Sequence, residues 1–140
     1  MVKTLRLNVV TPEREALARD VETVVLPGEA GSFGVLPGHA PLVAALRPGL
    51  LRYRAGGETR EFAVGGGYAE ITGGRVTVLA DTAVPAEDID EDEARQAQAK
   101  ALAQLRQGVT GPEQEAADVA LRKALSQLQV AGLRRRRRGG

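Results

Sequence analysis

At 140 residues the chain suits one ordinary domain, or a small domain with an appendage, and is too short for a large enzyme. Its 19 Lys and Arg against 18 Asp and Glu leave a net charge of +1, so no molecule-wide field favours nucleic acid or an acidic substrate, and the lack of cysteine excludes disulfides, thiol chemistry and thiolate metal sites. Aromatic residues make up only 3%, which leaves the core to Val, Leu, Ile and Ala and provides few rings for stacking on bases.

The opening Met1 to Pro12 has too short and too interrupted an apolar run for a signal peptide, and no window approaches the roughly 18 to 20 apolar residues of a membrane span. A soluble protein with only indirect membrane contact is expected. From Val2 to Val84 the apolar residues alternate or come in short runs: Leu5 to Val9, Val24 to Leu26, Leu50 to Tyr53, Phe62 to Val64, Tyr68 to Ile71 and Val76 to Leu79. Gly, Pro or Thr bounds each run, and the segments Ala55 to Glu58 and Thr72 to Arg75 read as hairpin turns. Many short strands at this spacing predict an all-β sandwich over residues 1–84. The triple glycine Gly65 to Gly67 predicts a bulge or sharp bend.

Between the second and third of these runs lies the stretch Leu26 to Pro41, where four glycines, three prolines and the only histidine crowd together. Gly opens backbone conformations closed to other residues while Pro fixes φ, so the segment specifies a rigid, shaped loop. A phosphate-cradling role would need a strand-to-helix turn with Gly-Lys-Ser/Thr, which occurs nowhere in the chain. A structural corner and a protein-binding loop both fit.

After Pro85 the pattern changes to Ala, Leu, Gln and Glu. Asp88 to Glu91 resembles a helix N-terminus, Ala94, Ala97, Ala101 and Leu105 fall at helical spacing, and Gly108 supplies a stop. Gly111-Pro112-Glu113 restarts the chain, and Ala117, Ala120, Leu121, Ala124, Leu125, Leu128 and Ala131 form a second stripe. Residues 85–140 are thus expected to form a C-terminal two-helix antiparallel hairpin. An Ala-rich seam buries little area per residue, so the pair is expected to be a weakly held appendage. Acidic residues 87 to 93 cluster at one end of this region and Arg134 to Arg138 at the other. Five adjacent guanidiniums repel one another, so that run is expected to fray beyond the second helix.

Catalytic constellations are absent. A zinc site or a nucleophilic triad would have to use His39, which has no second imidazole or Glu-x-x-His spacing near it. His39 reads better as a hydrogen-bonding group that fixes its loop or touches a partner. The carboxylates 87 to 93 lack the glycine and distant Glu of a calcium loop. No intrinsic catalysis, cofactor or metal is expected.

Read in order, Leu7 to Glu13, the glycine-broken segment running into Pro37-Gly38-His39-Ala40-Pro41-Leu42, Arg47 to Arg52, Gly65 to Glu70 and Val76 to Ala83 resemble the epsilon subunit family of the F-type ATP synthase. The resemblance implies a non-catalytic central-stalk (rotor) subunit of a proton-translocating ATP synthase, at the cytoplasmic face of the inner or plasma membrane. Its β-sandwich would join the gamma subunit to the c-ring, and a mobile helix hairpin would inhibit ATP hydrolysis by extending along gamma to the catalytic beta subunits. It assigns Glu29, Ala30, Gly31, Ser32, Phe33 and Gly34 to the c-ring contact; the residues themselves agree, since Phe33 reads as an exposed aromatic anchor among small neighbours, and Pro37, Gly38, His39 and Pro41 read as loop-shaping or partner-contacting.

Some members of the family bind ATP through Ile/Leu-Asp-x-x-Arg-Ala and second-helix arginines. Here Ile89, Asp90 and Ala94 are kept, but Glu93 stands where the Arg belongs, and Lys123 and Gln127 stand where the later arginines would. An anion beside a triphosphate is repulsive, so this degenerate motif predicts weak ATP binding or none. The arginine run is expected to act as a regulatory tail that meets acidic loops of the beta subunits, so that its deletion raises ATP hydrolysis. A rival reading is an adaptor that binds polyanions through that run; another is a small-molecule enzyme using Gly65 to Gly67.

Overall fold

Alternation decides the first strand: Leu5, Leu7 and Val9 are buried while Arg6 is exposed, as one face of a sheet requires. The computed structural model describes residues 3–139, with side chains through Arg136. Its strands are β1 (Leu5–Val10), β2 (Glu15–Val21), β3 (Thr23–Gly28), β4 (Gly31–Val35), β5 (Leu42–Ala55), β6 (Glu58–Thr72), β7 (Arg75–Ala80) and β8 (Ala83–Pro85). A 3-10 turn (Ala86–Asp88) leads to helices α1 (Glu91–Arg106) and α2 (Pro112–Gly139). The strand order is β2-β1-β7-β6-β5-β3-β4, with β8 also on β6, and β1 lies parallel to β7.

The long strands β5 and β6 run through both layers of the sandwich. Phe62 to Val64 of β6 pair with β8, whereas Gly67 to Thr72 pair with β7, so the chain must bend between them. The bend falls at the triple glycine, where Gly66 and Gly67 have φ of 100° and 137°. At Gly67 a Cβ would lie 2.0 Å from the Leu79 carbonyl oxygen, so strand β7 approaches where no side chain fits. Both glycine pairs at the expected hairpins, Gly56-Gly57 and Gly73-Gly74, have positive φ at each residue, as tight two-residue turns require.

Leu5, Leu7, Val9, Val24, Leu26, Leu51, Phe62, Val64, Ile71, Val76 and Val78 fill the core, with the rings of Tyr53 and Phe62 6.3 Å apart. Glu61 is buried as well, opposite its cross-strand neighbour Arg52 with an ion pair of 3.5 Å.

Helix α1 starts where Asp90 caps it, its side chain accepting from the Glu93 N–H at 3.0 Å, and ends before Gly108 at φ 78°. In the helix pair Ala94 and Ala101 of α1 and Ala117 and Ala124 of α2 are buried. Their spacing is seven residues in each helix, and the small side chains let the two backbones approach. The expected stripes are only partly right: Ala97 and Ala120 are exposed, and Leu125 is 46% exposed. The pair also has a seat on the rest of the fold. Val130 and Ala131 are fully buried against Ala63, Ala86 and Ile89, so the end of α2 is seated on the sandwich.

Candidate interaction surfaces

The shaped segment after Leu26 is not a loop throughout. β3 and β4 pair from Val24–Val35 to Gly28–Gly31, leaving Glu29 and Ala30 as an exposed two-residue tip. Gly31 at φ 137° closes that turn, and the Glu29 N–H donates to the Ala45 carbonyl at 3.0 Å, which ties the tip to β5. Ser32 and Gly34 are exposed along the outer face. Phe33 is not. It lies opposite Leu26 on the inward face, half-buried against the core, and a Cβ on Gly28 would meet its ring at 3.0 Å. The expectation of an exposed aromatic anchor is therefore corrected: Phe33 supports the tip from beneath, because it shares the parity of the buried Val35.

The next turn carries Pro37, Gly38 and His39. Gly38 has φ 88°, the His39 N–H donates to the Leu36 carbonyl at 3.1 Å, and Nδ1 of the ring donates to the Ala40 carbonyl at 2.6 Å. The imidazole is thus engaged with its own backbone. Pro41, exposed, delivers the chain to β5.

Beside this turn and the β3–β4 tip runs an apolar band that sequence reasoning missed. The register aligns Ala45, Tyr68, Leu79 and Val10 across β5, β6, β7 and β1. Tyr68 is 61% and Leu79 55% exposed, and Val43, one pair along, is 69% exposed. A groove of about 560 Å³ runs along Val10, Ala45, Tyr68 and Leu79, bordered by Glu29 and Pro12. Contiguous exposed apolar surface of this kind is a feature of binding surfaces. The signal was present: Tyr68 shares parity with the exposed Glu70, while Ala69 and Ile71 face inward.

The degenerate nucleotide motif is committed elsewhere. Ile89 is buried under α2, Asp90 caps α1, Ala94 sits in the seam, and Glu93 is exposed among Glu91 and Asp92. Arg95, the nearest cation on α1, pairs with Glu91 at 3.6 Å and Asp92 at 3.4 Å. Lys123 lays its stem over Gly65, and Gln127 is half-buried. The first two arginines of the run do not fray as expected, because acceptors distant in sequence receive them. Helix α2 continues to Gly139; Arg134 donates to the Ala86 carbonyl and Arg135 forms an ion pair with Glu91. The side chains of Arg137 and Arg138 lie outside the described residues. Among the described residues no helix is long and apolar enough to cross a membrane.

Residues 4–86 match the family described as ATP synthase, Delta/Epsilon chain, beta-sandwich domain, and residues 87–132 match its long alpha-helix domain. The chain is 44% identical to the ATP synthase epsilon chain of Nitratidesulfovibrio vulgaris, covering 94% of this chain and 98% of that one. It is 41% identical to the epsilon chain of Desulforamulus reducens, over 94% and 99% of the two chains. Among solved structures, a chain of the Euglena gracilis mitochondrial ATP synthase, resolved with OSCP, F1 and the c-ring, superposes with a TM-score of 0.78 at 27% identity, over 91% of this chain and 81% of that one. A chain of the Tetrahymena thermophila mitochondrial central stalk and c-ring shares the fold, with a TM-score of 0.60 at 16% identity over 92% and 97%.

Proposed function

Because the chain belongs to the delta/epsilon chain family of ATP synthase, we propose that it is a non-catalytic central-stalk subunit whose sandwich couples two partners and whose helix pair regulates ATP hydrolysis. The observation that carries this reading is the pairing of two unlike surfaces at one end of the sandwich. One is the small, polar β3–β4 tip; the other is the exposed apolar band of Val43, Tyr68 and Leu79.

The tip fits the c-ring. Ala30, Gly31, Ser32 and Gly34 present short side chains and backbone, which lets a second backbone come close, Glu29 adds an exposed carboxylate at the tip, and Phe33 stiffens the hairpin from below. The band fits gamma, since a broad apolar strip suits a permanent interface rather than a transient one. Residues 1–84 then serve attachment and residues 85–140 regulation, the hairpin reaching the beta subunits when it extends. The subunit would sit peripherally, on the side of the membrane that carries the catalytic head.

The natural absence of cysteine makes the test direct. In the assembled synthase, a single cysteine at Ala30 should cross-link to the c-ring and a single cysteine at Tyr68 to gamma. Cross-links from both positions to the same partner, or from neither to these partners, would overturn the assignment.

A further inference from the structure

The end of α2 grips the segment from which the helix pair departs. Arg134 is half-buried and donates from its guanidinium to the carbonyl oxygen of Ala86 at 2.5 Å, across 48 positions of sequence. Ala86 opens the 3-10 turn that connects the last strand to α1. One residue further along, Arg135 forms its ion pair with Glu91, the first residue of α1, whose side chain is only 21% exposed. Glu91 also faces Arg95 of its own helix at 3.6 Å, so one carboxylate meets a cation from each helix at their shared end. Beneath these contacts Val130 and Ala131 are fully buried on Ala63, Ala86 and Ile89. Arg136, by contrast, is exposed and takes part in neither contact.

The two contacts oppose two different movements. Separation of α2 from the sandwich breaks the bond to Ala86, and separation of α2 from α1 breaks the pair with Glu91. A hydrogen bond from a charged donor is among the stronger kinds, and it sits with the ion pair at the pivot, where both contacts act on any rotation of the helix pair.

We infer that Arg134 and Arg135 form an electrostatic clasp, closing on Ala86 and Glu91, that holds the helix pair in its docked state. The regulatory part of this inference rests on the proposed function; the clasp itself does not. It reverses the sign expected from sequence for the arginine run. Removing the arginines releases the hairpin toward its extended, inhibitory position, and ATP hydrolysis by the assembled enzyme falls instead of rising.

Amide hydrogen exchange on the full-length subunit tests the clasp. The double substitution Arg134→Gln with Arg135→Gln should lower protection of the Leu128 to Gly132 amides by about tenfold at low salt, allowing for the partial exposure of Arg135. Arg136→Gln controls for the general benefit of cations at a helix C-terminus and should leave these amides within about twofold of wild type. Strands β1 and β7 should exchange as before in both variants. Raising salt to about 0.5 M should narrow the gap between wild type and the double variant. Unchanged protection in the double variant, or an equal loss in Arg136→Gln, overturns the clasp. In the assembled synthase the double variant should hydrolyse ATP more slowly than wild type. Lost protection with unchanged hydrolysis would keep the clasp and overturn the regulatory reading of the hairpin.

Discussion

The sandwich and the helix pair are held by different physics. The sandwich buries Leu, Val, Ile and Phe side chains from strands β1 to β7, each of which contributes about 1.5 to 3 kcal/mol. The seam between α1 and α2 buries alanines, and among the described residues Val130 and Ile89 add larger buried side chains where the end of α2 meets Ala63 and Ala86. A rotor attachment that transmits torque needs the first kind of packing. Under the proposed function the helix pair docks and releases, which the second kind suits, because a small burial area keeps two arrangements close in free energy.

The sharpest way to break this contrast is at the bend of β6. Gly67→Val places a Cβ against the Leu79 carbonyl at a φ of 137° that only glycine adopts comfortably, and relief requires β7 to move. A loss of about 4 kcal/mol or more is expected, with poor soluble yield and loss of the helices together with the strands. Circular dichroism melts would show it. Leu51→Ala comes next, at about 2 to 5 kcal/mol, since the side chain is fully buried and the strands around it cannot close the cavity. A melt in which Leu51→Ala spared the sandwich would contradict the core described here.

Overpacking the seam should separate the two regions. Ala124→Leu adds three carbons between helices that meet through alanine, at a cost of about 1 to 3 kcal/mol. Exchange should accelerate in α1 and α2 while β1 and β7 keep their protection. If the sandwich lost protection in step with the helices, the two regions would form a single cooperative unit, and the division of labour would fail.

ATP offers a different probe of the same region. Glu93 is exposed beside Glu91 and Asp92, and Arg95 is paired, so a calorimetric titration of the isolated subunit should show no micromolar binding. Glu93→Arg removes the repulsion and should bring measurable affinity. Micromolar binding by the wild type would show that another cation reaches the phosphates.

What could be read from the sequence divides by the range of the forces involved. Gly56-Gly57, Gly73-Gly74 and the bend at Gly65 to Gly67 are local backbone demands, so composition alone revealed them. The β3–β4 hairpin did not show, because Gly28, Gly31 and Gly34 have low strand propensity and the pairing with β5 overrides it. A shaped loop leaves the direction of Phe33 open, whereas in a strand β4 alternation with the buried Val35 turns the ring inward. In the helices, alanine on several faces gave no contrast by which to choose Ala101 over Ala97. The docking of Arg134 and Arg135 depends on Ala86 and Glu91, and such long-range partners leave no periodic trace.

The smallest effect expected is at the start of α1, and it separates a helix's own stability from its docking. Asp90 accepts from the Glu93 N–H at 3.0 Å and is exposed, so Asp90→Ala removes a cap without opening a cavity. Loss of such a cap costs about 1 kcal/mol. If the helix pair behaves as a thinly packed unit, that cost should appear as roughly fivefold faster exchange at the first-turn amides of α1 and fade along the helix, with α2 and the strands unaffected. The neighbouring Ile89 is buried under α2, however, so the capped turn also belongs to the seat of the helix pair. Faster exchange that reached Val130 and Ala131 in α2 would show that the cap and the docked interface open together, and that the pivot rather than the alanine seam sets the stability of the docked state.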